Sequence, residues 1–252
     1  METLEARLTK FLSNYNDAGS IDSIMASRPE EKRRRADFLL WNRRAIVEIK
    51  SLQIDPLSKI ESEIRKHENK SDFPLCYGEN RLPDVLKRLP NGNAVNRKIF
   101  GTITQSVEDH MRSAEEQIEQ TKEIFNIQDP IRLLLLINES VDTIRPEDAG
   151  RRVAKLMLRE RTGQSNSPTI DIAWLVFESH MHQVSPSLNG FVSMLIANTN
   201  SRLPEWFDPA FGALQTSWAH RNYGALINTY VDNPVTLDSQ SSRAEKSKFQ
   251  SQ

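Results

Sequence analysis

The chain has 252 residues, 38% hydrophobic and 27% charged, with 33 basic against 34 acidic side chains and a formal net charge of −1. That balance excludes a uniformly basic nucleic-acid binder, so any basic surface must be local. The single cysteine, Cys76, excludes an intramolecular disulfide and reads as a reduced thiol, and no apolar stretch approaches the ~20 residues that span a bilayer.

The mean hydropathy of −0.56 predicts exposed segments beside one substantial core. The opening METLEARLTKFLSNYN is amphipathic and lacks the apolar run and cleavage site of a signal peptide, so a soluble cytoplasmic protein is expected.

In chain order, Leu4, Leu8, Phe11 and Leu12 recur at helical spacing and predict a helix over 2–15. Gly19 breaks it. Ile21, Ser23 and Met25 predict a short strand within 20–27. A charged connector, 28–35, follows; it reads as a solvated loop or as a basic lip beside a phosphate-binding site. Two strands, 36–41 and 44–51, then flank a tight Asn42-Arg43 turn. Residues 52–104 read as an insertion. Asp55-Pro56 opens a helix running to about 70, and Pro74, Gly78, Pro83, Pro90 and Gly92 mark a loop-rich stretch with one short helix near 84–89.

A long helix is predicted over 105–125 from Val107, Met111, Ala114, Ile118 and Phe125, ended by Asp129-Pro130. The run IRLLLLINES reads as a strand covered on both faces. A helix over 147–160, a buried strand over 169–179 and closing helices over 190–198 and 210–230 complete the chain, before a polar tail from about 232 expected to be disordered. The alternation of strands and helices predicts an α/β fold with a mixed central sheet and right-handed crossovers.

The hairpin carries the chemistry. Centring the turn between Asn42 and Arg43 pairs residues whose numbers sum to 85, which sets Asp37 opposite Glu48. Strand alternation then puts Glu48 and Lys50 on that same face. Like charges so opposed require neutralisation, which a divalent cation supplies. Mg²⁺ is typically held by one or two carboxylates plus water and phosphate oxygens. Lys50 would orient the attacking water or stabilise charge on the phosphate. The plainer reading is a salt bridge of Lys50 with either acid.

Asp37, followed by Glu48-Ile49-Lys50 in a helix, three-strand, helix, strand order, resembles the PD-(D/E)XK nuclease superfamily. The resemblance covers residues 2–138 once 52–104 is set aside. It implies a restriction-endonuclease-like αβββαβ core, with Asp37, Glu48 and the Ile49 carbonyl as ligands of Mg²⁺ (Mn²⁺ substituting) and Lys50 as the catalytic lysine. Ala36 stands where the superfamily often has proline. Glu5, or Glu2 in competition with it, would be the extra acid that some members carry on the first helix. Some branches carry Gln-x-x-x-Tyr on the helix after the third strand; here Gln117 has Thr121 in the tyrosine position, and both are accessory candidates or plain exposed polars.

The resemblance implies a Mg²⁺-dependent nuclease, an endonuclease or exonuclease, acting on nucleic acid, with DNA favoured over RNA as its substrate and bacterial defence or a mobile element as a natural setting. The alternative is a non-catalytic nucleic-acid- or protein-binding module retaining the fold. Arg33, Arg34, Arg35, Arg43 and Arg44 are the expected nucleic-acid contacts, and a homodimer or protein partner is allowed. The domain reading is a nuclease-like core over 1–180, helical elements over 181–231 as a C-terminal extension, and the tail 232–252.

Other constellations are weaker. His180 and His182 offer two imidazoles to zinc without a third ligand nearby. Asp109-His110 reads as a solvated helix start, Arg151, Arg152, Lys155 and Arg159 as a solvated basic face or a backbone contact to DNA, and Trp206, Trp218 and Tyr223 as core or dimer interface. No phosphate-cradling glycine loop is present.

Overall fold

The computed structural model describes residues 2–27, 30–68, 91–158, 170–185, 188–226 and 240–241. In chain order these form α1 (Leu4–Ser13), β1 (Ala18–Ser20), α2 (Ile21–Met25), β2 (Phe38–Leu40), β3 (Ala45–Leu52), α3 (Leu57–Glu68), α4 (Gly92–Phe125), β4 (Ile131–Asn138), α5 (Pro146–Met157), β5 (Ile172–Ser185), β6 (Leu188–Ala197), α6 (Phe207–Asn222) and β7 (Gln240–Ser241).

The strands make one mixed sheet in the order β1-β2-β3-β4-β5-β6, with β7 added to β5. The pairs β3–β4 and β4–β5 are parallel, and the other pairs are antiparallel. Parallel central strands must be covered on both faces, and two apolar clusters do this. On one face Leu39, Ile46, Leu134, Leu136, Ala173 and Leu175 pack with Val107, Met111, Ala114 and Ile118 of α4 and Ala149 and Val153 of α5. On the other, Val47, Leu133, Leu135, Trp174 and Val176 meet Leu4, Leu8 and Leu12 of α1 and Phe207, Phe211 and Leu214 of α6. The α/β class with a mixed sheet between helices is therefore as expected. No helix among the described residues is long and apolar enough to cross a membrane.

Four segments differ from the sequence reading. Residues 188–197 form a strand where a helix over 190–198 was expected, so 181–231 is not wholly helical. Its run Phe191 to Ala197 has the length and apolarity of either element, and fourteen-residue β5 supplies a partner edge along most of it. Ile21 to Met25 is a helix rather than a strand. Ser20 caps it, and only helical spacing buries Ile21 and Met25 together while leaving Ser23 outside. Helix α4 begins at Gly92 and not near 105, because Val95 and Ile99 extend its apolar stripe and pack against Ile60 of α3. The hairpin connection is longer than the expected Asn42-Arg43 turn. Trp41, Asn42 and Arg43 are all left-handed (φ 51°, 56° and 65°), and Arg44 N–H bonds the Leu40 carbonyl at 3.0 Å.

The loop-rich stretch through Cys76 and the short helix near 84–89 lie outside the described residues, as does the tail apart from Gln240 and Ser241, which pair with Met181 and His180.

Asn138 closes the end of β4. It is fully buried; its amide donates to the carbonyls of Val141 (2.9 Å) and Ile144 (3.2 Å), and its carbonyl accepts the Val141 N–H at 2.9 Å. Asn138→Ala leaves these buried groups unpaired, and urea denaturation should show a loss of about 2–4 kcal/mol.

Candidate active site

The expected hairpin register is kept from Leu40 to Phe38 and does not extend to Asp37 and Glu48. Phe38 faces Val47, Leu39 faces Ile46 and Leu40 faces Ala45, each pair summing to 85. The regular ladder stops at Phe38. Beyond it the Asp37 N–H donates to the Val47 carbonyl at 3.0 Å, while the Asp37 carboxylate Oδ2 accepts the Ile49 N–H at 2.7 Å. The side chain of Asp37 thus takes over an acceptor role of the departing strand, which fixes its carboxyl against β3.

Glu48 and Lys50 leave β3 on the α4 face, the face of Ile46 and Leu52. Glu48 is 2% exposed. Lys50 Nζ lies 2.6 Å from Glu48 Oε1 and donates to Gln117 Oε1, also at 2.6 Å. Glu48 Oε2 is buried and meets no N–H or O–H donor; the Asp37 carboxyl lies close enough to share a proton with Glu48. The Ile49 side chain packs into the opposite cluster, so any ligand it offers is a backbone atom.

Helix α4 clamps this arrangement. Gln117 Nε2 donates to the Arg35 carbonyl at 2.9 Å, and the buried Thr121 Oγ1 accepts the Ala36 N–H at 2.8 Å. Both accessory candidates therefore grip the two residues preceding Asp37. Ser113 donates to Gln117 Oε1 at 3.0 Å, and His110, set aside in the sequence as a solvated helix start, lies near Lys50 and the Ser51 backbone. His110, Ser113, Gln117 and Thr121 recur at intervals of three and four. This polar stripe on a helix with an apolar face was the sequence signal for the two missed residues.

The remaining predicted residues are placed as follows. Glu5 is exposed on α1, 3.5 Å from Gln53 Nε2, and its rival Glu2 pairs with Lys10 at 3.6 Å; neither bonds to Asp37, Glu48 or Lys50. Arg33 pairs with Glu31 (2.7 Å) and Glu123 (3.4 Å), Arg34 with Glu116 (4.0 Å) and Arg35 with Asp22 (3.0 Å), so the connector lies along α4 beside the site. Arg43 and Arg44 precede β3. Six residues of extended chain separate Arg44 from Lys50, about 20 Å, so these two arginines stand at the other end of the sheet. His180 is buried and its Nδ1 lies 2.9 Å from Ser179 Oγ. Among the described residues no three His, Cys, Asp or Glu side chains gather as a metal cage.

Electrostatics at the site is a competition. Burial first, and the Asp37 charge second, push the Glu48 carboxyl up to about 8 against the pull of Lys50. Burial likewise raises Asp37, opposed by the Ile49 N–H and Lys50. Near neutral pH Glu48 therefore keeps its proton. Oxygen-only donors, an orphaned Glu48 Oε2 and a proton that a cation can replace fit a hard divalent ion such as Mg²⁺. The ion would replace a proton and would not need a further protein anion.

Between the ordinary carboxylate range and about pH 8, the folded chain keeps a Glu48 proton that the unfolded chain has lost. Stability without metal therefore falls as pH rises through that window. In EDTA, the melting temperature of the wild type should drop from pH 5 to pH 8 by ~5 °C more than that of Glu48→Gln, read by circular dichroism. No protein-family model matches the chain, and neither a curated protein nor a solved structure matches it.

Proposed function

We propose that the chain is a Mg²⁺-dependent nuclease that hydrolyses phosphodiester bonds, with DNA the expected substrate. The observation that carries this reading is the buried Glu48 carboxyl, with the half-buried Asp37 carboxyl and Lys50 beside it and one oxygen left without a donor. The element order lends support: α1, then β1, β2 and β3, then α4 and β4, with α2 and α3 interposed. This is the helix, three-strand, helix, strand succession of the PD-(D/E)XK superfamily that the motif resembles.

In this reading Asp37, Glu48 and the Ile49 carbonyl hold the ion. When bound, Mg²⁺ polarises a phosphoryl oxygen and makes its water a stronger acid. With an ion held there, its positive charge and not Lys50 would balance the Glu48 carboxylate, while Gln117 holds the Lys50 ammonium in place. The ammonium then stabilises charge developing on the phosphate or orients the attacking water. Thr121 and Gln117 hold the backbone at 35–36, so Asp37 needs no reorganisation when substrate arrives. Arg33, Arg34 and Arg35 lie in the connector that leads into Asp37. Their surface pairs with carboxylates are weak, and phosphates can replace them.

Purified protein incubated with linear, nicked, circular and single-stranded DNA and with RNA should cleave in Mg²⁺ or Mn²⁺ and not in EDTA. Lys50→Ala and Asp37→Ala should each lower the rate at least ~100-fold. Cleavage that survives EDTA, or full activity in both variants, would sink the mechanism. Tight DNA binding without cleavage of any substrate would establish the non-catalytic module instead. A second readout is independent of turnover. Calorimetric titration with Mg²⁺ in buffers of different ionisation enthalpy should show release of close to one proton at pH 7, reduced toward zero in Glu48→Gln.

A further inference from the structure

The other end of the sheet carries a second feature. A cavity of about 640 Å³ opens where β3, β4 and β5 begin and β6 ends, and Arg43, Arg44, Arg132, Arg202, Asp171 and Trp206 are among its lining residues. That volume lies within the range of small-molecule sites. The carboxylate of Asp171 is already saturated. It accepts from Arg132 Nε at 3.1 Å, from the Arg132 N–H at 2.8 Å and from the Ser201 hydroxyl at 2.5 Å. One guanidinium and one carboxylate thus cancel.

Three guanidiniums remain. Arg7, Arg33, Arg35, Arg112, Arg145 and Arg152 each pair with a carboxylate. Arg43, Arg44 and Arg202 have no such partner among the described residues, and all three are exposed at this cavity. Two of them are held on aromatic faces: Arg44 Cζ stands 3.7 Å from the centroid of the Trp206 ring, and Arg43 Cζ stands 5.6 Å from that of Phe125. Stacking fixes the guanidinium plane and leaves its in-plane N–H donors free for a bidentate oxyanion. Asp129 is the remaining carboxylate in the lining. The cavity therefore presents three free cations against one anion.

The backbone around it is unusual in the same place. Every non-glycine residue with positive φ among the described residues falls in the two loops bordering this end: Trp41, Asn42 and Arg43 in one, and Asn126 and Asp129 in the other. Asn42, Asn126 and Asp129 are of types that adopt left-handed backbone readily, Asn126 as the C-cap of α4, but Trp41 and Arg43 are not; at such residues it persists where packing demands it and is found at sites that grip ligands. Trp41 is the anchor, buried edge-on against Trp206 and Phe207 with centroids at 5.5 and 5.8 Å.

We infer that this cavity binds a phosphorylated small molecule of nucleotide size, its phosphates held by Arg43, Arg44 and Arg202. The inference does not rest on the nuclease reading, since about 20 Å of β3 separates the two places.

The test uses the full chain in EDTA, titrated by calorimetry and tryptophan fluorescence with inorganic pyrophosphate, ADP, adenosine and a twelve-nucleotide single-stranded DNA. Pyrophosphate and ADP should bind at one site per chain, and adenosine should not. Arg202→Ala, an exposed change that leaves the fold intact by circular dichroism, should weaken ADP at least tenfold. Arg44→Lys, which keeps the charge and loses the planar fork, should weaken it severalfold. Glu48→Gln should leave ADP binding within twofold. No binding of pyrophosphate or ADP at millimolar concentration would overturn the assignment. Undiminished ADP binding in the Arg44→Lys/Arg202→Ala double variant would also overturn it. So would an oligonucleotide that binds through these arginines while pyrophosphate and ADP do not.

Discussion

Burial of the parallel strands β3, β4 and β5 on both faces is the constraint from which the rest follows. A strand packed between two helical layers has no solvent to satisfy a polar side chain, so each one it carries must find a partner inside the molecule. Asn138 meets this with three hydrogen bonds, and Asp171 with a guanidinium, a hydroxyl and a backbone N–H. Glu48 meets it only in part. Lys50 satisfies one oxygen, and the other is left facing no donor. A buried carboxylate left in that state costs more than most folds tolerate, and raising its proton affinity is the response open to a metal-free chain.

That incomplete satisfaction connects stability to chemistry. In the proposed function, the proton that makes the buried Glu48 tolerable is also what a divalent cation would displace. The same burial that raises Glu48 also removes competing water from the place where charge would develop. The polar stripe of α4 carries the positional load: Gln117 orients Lys50 and, with Thr121, fastens the backbone leading into Asp37. The carboxylate pair is therefore held from both strands of the hairpin and from a helix of the covering layer. Neutralised surface cations at 33–35 flank this end of the sheet, whereas Arg43, Arg44 and Arg202, without ion-pair partners among the described residues, stand at the other. The molecule thus presents two electrostatically distinct ends.

Much of this was legible in the residues. The hairpin register over Phe38–Leu40 follows from counting outward from the turn, and it survives the longer loop because Trp41 on one side and Arg44 on the other leave its centre unchanged. The helix α1, the apolar face of α4 and the doubly covered β4 follow from periodicity and run length alone. Other features were ambiguous on the same criteria. Phe191 to Ala197 satisfied helix and strand equally until β5 offered an edge, and Ile21 with Met25 fits spacing four as well as spacing two. Glycine and asparagine near 92 look like a break, yet Val95 and Ile99 had Ile60 to pack against, and that contact lies between segments distant in sequence.

The sequence by itself determined that Glu48 and Lys50 share a face, because side-chain alternation is a local property of the strand backbone. Tertiary structure alone decided how deeply Glu48 is buried, that His110 and Ser113 join Gln117 beside Lys50, and that Arg43 and Arg44 stand with Arg202 at the far end of the sheet. Each of those outcomes depends on which distant segment covers which strand. Desolvation and pairing are set by those neighbours and not by the residue's own identity.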